Sequence, residues 1–94
     1  MSISYEPEEA GVHFWVDDDD AALAHLDVRE LLSEGGEPYA IIMECVQMLG
    51  TGQRLVVHAL MQPRPLLQQL ARMGYFTELR HPGADHWEVE VSTG

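Results

Sequence analysis

Two stretches of this chain share one plan: a short apolar strand leading into a helix that opens at a proline. In residues 25–29, Leu26 and Val28 fall on one face and His25, Asp27 and Arg29 on the other, as a half-buried strand requires. A loop over residues 30–36 follows. Pro38 suits a first helical turn, where its missing N–H has no intrahelical partner to lose. From Tyr39 the apolar positions Ile42, Cys45, Val46 and Leu49 recur at helical spacing, and Gly50 stops the helix. Residues 54–60 are a second strand, more continuously apolar, as a central strand should be. Pro63, Arg64 and Pro65 open a second helix, with Leu66, Leu67, Leu70 and Met73 as its buried stripe and Gly74 as its cap.

The chain then closes with a hairpin. Residues 75–81 form a third strand, residues 82–85 (Pro-Gly-Ala-Asp) the turn, and residues 86–91 a fourth strand with Trp87, Val89 and Val91 inward. The order is β-α-β-α-β-β. Right-handed crossings place both helices on one face of a mixed four-stranded sheet, giving an α+β two-layer sandwich over residues 24–94. The other sheet face carries His25, Asp27, His58, His86, Glu88 and Glu90 and stays open. Ahead of it lies an acidic segment, residues 1–23. Residues 1–11 read as a loose tail. Residues 12–16 (Val-His-Phe-Trp-Val) read as ordered, either an extra edge strand or a segment lying over the core. Asp17 to Asp20 reads as a solvated break.

Charge narrows the partners. The 94 residues include five arginines, no lysine and 16 acids, for a net charge of −11. A surface of that sign repels phosphate and anionic lipid, so nucleic acid and membrane are not expected as partners. A basic protein patch or a cation is. No apolar run reaches the length of a bilayer span, and the N-terminus has no basic or apolar leader, so a cytoplasmic setting is expected. The single cysteine, Cys45, has no internal disulfide partner, which fits a reducing compartment.

As a set, Leu26-Asp27-Val28-Arg29, Glu37-Pro38-Tyr39 with Ile42 and Met43, Gly52, Pro63-Arg64-Pro65-Leu66, Gly74-Tyr75-Phe76 and Trp87-Glu88-Val89 resemble a family of small bacterial domains of unknown function related to the TusA/SirA-like sulfur carriers. The resemblance covers about residues 24–92. It implies the β-α-β-α-β-β fold with sheet order 1-2-4-3, strand four antiparallel, and a cytoplasmic setting, and brings no established activity. The carriers hold a persulfide on the Cys of a Cys-Pro-x-Pro motif. Matching Glu37-Pro38 to the end of that motif puts Gly35 at the Cys and Gly36 at the first Pro. Glycine has no thiolate to offer.

Several constellations remain. Cys45 sits mid-helix on the core stripe, which is a packing role for a free cysteine. His25, His58 and His86 share the open face on neighbouring strands. They are weak metal candidates, with Asp27 or Glu88 as a further ligand, because no His-x-His or Cys-x-x-Cys pair fixes a geometry. The loops at residues 30–38 and 60–64 face the same end of the sheet, where ligands of open α/β sheets gather. A ligand or partner site there would use Arg29, Gly35, Gly36, Glu37, Pro38, Met61, Gln62, Pro63 and Arg64, although proline at helix starts is routine. The four aspartates lack the spaced ligands and central glycine of a calcium loop. No Ser-His-Asp order, phosphate loop, dinucleotide pattern or His-Glu-x-x-His is present. The expectation is a small accessory binding domain, not an enzyme, with no cofactor, acting on a protein partner or on itself as a homodimer. The alternatives are a sulfur or redox relay using Cys45 and a metal-binding module on the open face.

Overall fold

A computed structural model describes residues 9–93. The tail expected over residues 1–11 lies outside the described residues for residues 1–8. Eight elements follow in order: β1 (His13–Val16), β2 (Leu23–Asp27), α1 (Arg29–Ser33), α2 (Tyr39–Gln47), β3 (Arg54–Ala59), α3 (Arg64–Arg72), β4 (Phe76–Gly83) and β5 (His86–Ser92). The architecture is α+β around one mixed sheet, ordered β1-β2-β3-β5-β4. β2 and β3 are parallel, and every other neighbouring pair is antiparallel.

The core lies on one face of that sheet. Leu26, Leu55, Val57, Val89 and Val91 point into it from the strands. Ile42, Cys45 and Val46 of α2 and Leu66 and Leu70 of α3 close it from above, so both helices cover the same face. Leu26, Cys45, Leu70 and Val89 have no exposed surface. Burying side chains of this size is worth about 1.5–3 kcal/mol each. The opposite face carries His25, Asp27, His58, Glu88 and Glu90, in line with the alternation of the strands.

Four details depart from the sequence reading. The sheet has five strands, not four, because residues 13–16 pair antiparallel with β2, Trp15 lying opposite His25. The first expected strand ends at Asp27, two residues early, because Asp27 turns the chain: its Oδ1 accepts from the Arg29 backbone N–H at 3.0 Å. The expected loop at residues 30–36 holds α1, anchored by buried Leu31. Met73, assigned to the buried stripe of α3, is 40% exposed, because Gly74 turns the chain at that point.

The aspartate run is also more than a solvated break. Asp17 Oδ1 meets His25 Nε2 at 3.0 Å, and Asp20 pairs with Arg54 while its Oδ1 caps the Ala22 N–H. Those contacts bind the acidic segment to β2 and β3.

Candidate functional site

Two regions of the fold gather chemistry, one on each side of the sheet. The first is a cavity of about 510 Å³ where the parallel strands end. Its floor is Val28, Val57 and Ala59, and its walls are the first turns of α2 and α3, including Pro38, Ile42, Pro65 and Leu66. Glu37, Met61, Gln62 and Pro63 complete the lining. Each helix starts at a proline whose carbonyl takes the first helical bond, from Ile42 N–H to Pro38 and from Leu67 N–H to Pro63. The Glu37 carboxylate accepts from the Tyr39 backbone N–H at 2.8 Å, just ahead of the first turn of α2. Met61 (59% exposed) and Tyr39 (41% exposed) stand on the rim. The size matches that of small-molecule and side-chain pockets, and most of the lining is apolar.

Of the nine residues expected at this end of the sheet, Glu37, Pro38, Met61, Gln62 and Pro63 line the cavity. The other four are used elsewhere. Arg29 clamps Asp27, with Nε to Oδ1 at 3.0 Å and Nη2 to Oδ2 at 2.8 Å, and faces a separate shallow cleft with His13, Glu30 and Asp85. Gly35 and Gly36 donate their N–H groups to Leu32 O and Leu31 O, the paired bonds that end a helix. Their amides are therefore engaged by α1. Arg64 begins α3 and is exposed outside the lining.

The second region is the open face. The three histidines do come together. His58 Nε2 lies 3.1 Å from His25 Nδ1, and His58 Nδ1 lies 2.8 Å from His86 Nε2. Glu88 Oε2 is 3.5 Å from His58 Nδ1 and 3.6 Å from His86 Nε2. Strand geometry brings this about: His58 pairs with Glu88 across β3 and β5, and His86 is two residues before Glu88 on the same face. Arg80 Nε donates to Glu88 Oε1 at 3.2 Å, which leaves Oε2 turned to the histidines. Trp15 stacks over His25 and His58, with ring centroids 4.9 and 5.7 Å away. Burial pushes His58 down to about 4, even though Glu88 and Asp27 nearby favour its charged form. Asp27, named with Glu88 as a further ligand, is taken up by Arg29.

Cys45 belongs to neither region. It is fully buried, and burial pushes its thiol up to about 12.

A protein-family profile described as Uncharacterized conserved protein (DUF2249) matches residues 25–93. The chain belongs to this family. The DUF2249 match contains every residue that builds the cavity, together with His58, His86 and Glu88, whereas β1 with Trp15 and Asp17 precedes it. No curated protein and no solved structure gives a significant match. Among the described residues of this DUF2249 chain, no helix is long and apolar enough to cross a membrane.

Sequence reasoning missed Trp15, Asp17 and Arg80 as neighbours of the histidines. The pairing of β1 with β2 and of β4 with β5 brings them there; the second was foreseen as a hairpin, the first only as one of two alternatives for residues 12–16.

Proposed function

We propose that this DUF2249 chain is a non-catalytic cytoplasmic binding domain that grips one apolar side chain of a partner protein. The observation that carries the reading is the apolar cavity between the two proline-opened helices. Its rim exposes Met61, a flexible residue suited to adapting to a partner. The chain's net charge of −11 favours a partner whose apolar anchor is flanked by basic residues. With β1 set aside, the strand order β2-β3-β5-β4 supports a relationship to the TusA/SirA-like carriers. The ending of α1 at Gly35 and Gly36 supports a domain that keeps such a fold without its thiol. A relay through Cys45 is the weaker reading, because that sulfur has neither access nor thiolate character.

Photo-cross-linking in cells tests this. A benzophenone side chain at Met61 should give one discrete adduct that is lost when Tyr39→Asp is added at the rim. The same group at exposed Gln68 on α3 should give none. Equal adduct patterns at positions 61 and 68 would remove the proposal.

A further inference from the structure

Away from the cavity, the hydrogen bonds of the open face fix which histidine nitrogens carry protons. Asp17 is held below the usual carboxylate range by its bond from His25, so it is ionised and only accepts. A neutral His25 then carries its proton on Nε2, leaving Nδ1 as an acceptor. His58 Nε2, 3.1 Å from that acceptor, must be the donor. His58 Nδ1 is therefore a bare lone pair, and it faces His86 Nε2 and the Glu88 carboxylate oxygen. His86 Nε2 either donates its proton to that lone pair or, in the other tautomer, presents a lone pair of its own, and then three acceptor atoms converge with no proton between them. A cation at their centre satisfies all three.

The dimensions fit one class of cation. A triangle with sides of 2.8, 3.5 and 3.6 Å has a point about 1.9 Å from each corner. A Zn–N or Zn–O bond is about 2.0–2.2 Å, so an ion seated just off that plane reaches all three atoms. Calcium, at about 2.3–2.6 Å with six or more oxygens, does not match two imidazoles and one carboxylate. The surroundings resemble those that orient metal ligands elsewhere. His25 and Asp17 hold the far nitrogen of His58, Arg80 holds the far oxygen of Glu88, and Trp15 covers the rings.

We propose that His58 Nδ1, His86 Nε2 and Glu88 Oε2 bind one divalent first-row transition-metal ion, leaving an open coordination position on the outer side. In this arrangement Asp17 and His25 are positioning residues that fix the tautomer of His58.

Cobalt(II) is the probe, added to untagged, chelator-stripped full-length protein. The expected result is one Co²⁺ per chain with visible d–d bands of low-coordinate N/O ligation, displaced by Zn²⁺. Glu88→Gln and His86→Ala should each weaken binding more than tenfold, while His81→Ala, outside the cluster, should leave it unchanged. Asp17→Ala should weaken binding about tenfold and also shift His58 away from its Nε2–H tautomer in ¹⁵N NMR spectra. Both Glu88→Gln and His86→Ala change side chains at the sheet surface, so loss of binding with an unchanged circular dichroism spectrum reports the site itself. Failure to bind Co²⁺ at millimolar concentration, or equal binding by wild type and the Glu88→Gln and His86→Ala variants, would overturn the proposal. Neither outcome touches the cavity, which lies across the sheet.

Discussion

Cys45 and Gly36 show how far single residues can be read. Helical spacing alone placed Cys45 on the core stripe, and the thiol has no exposed surface. With its thiol pushed up to about 12, almost none is thiolate at neutral pH. A disulfide reagent should leave Cys45 unmodified in the native protein and label it fully in denaturant; stoichiometric native labelling within minutes would contradict this packing. Gly36 could not be read in the same way, because a glycine pair marks a loose loop and a helix terminus equally. The structure decides for the terminus. A Cβ at Gly36 would lie 2.3 Å from Leu31 Cδ1 and 3.1 Å from Leu31 O. The Gly36→Ala variant should therefore lose about 1–3 kcal/mol in chemical denaturation, through displacement of buried Leu31. Gly35 has φ of +82° and open space around it. A cysteine placed there would have to adopt a left-handed backbone, at a cost of about 1–2 kcal/mol.

Elements with strong periodicity were legible, and those made by tertiary contact were not. α2, α3 and β5 each carry a stripe or an alternation that only one structure satisfies. α1 has five residues, too few to hold a helix alone, and exists because Leu31 packs inward and the Leu31 N–H donates to Gly11 O. β1 was ambiguous because the four apolar residues among 12–16 specify an ordered segment and not the strand beside it. At the end of α3 the chain is more explicit. Gly74, with φ of +89°, donates to Ala71 O while Tyr75 N–H donates to Leu70 O, the paired bonds of a glycine-terminated helix. Gly74→Ala should cost about 1–2 kcal/mol from the left-handed backbone alone, seen as a lower urea midpoint at unchanged m-value. Gly83→Ala makes the comparison, since a Cβ there meets only ordinary contact with His86. It should stay within about 0.5 kcal/mol of wild type.

For the molecule as a whole, a row of histidines on a chain of charge −11 makes stability a matter of pH. In the metal-free protein His58 is held near 4 by burial, against an ordinary value of 6.5. Between those values the unfolded chain takes up a proton that the folded one refuses. His58 therefore leaves stability intact above about pH 6.5 and erodes it as pH falls toward 4, by at most about 3 kcal/mol. Asp27 follows at lower pH. Burial would raise its pKa, but the Arg29 bonds outweigh that and hold it below 3.8, so its contribution is full above 3.8 and is lost as pH falls further. Protonating exposed acids works the other way, by relieving self-repulsion, but acts mainly below the window in which His58 titrates. With chelator present, the thermal midpoint of the wild type should decline from pH 6.5 to pH 4.5, and that slope should flatten in His58→Gln whatever the variant's absolute stability. Equal slopes in the two proteins would mean that His58 takes up its proton while folded.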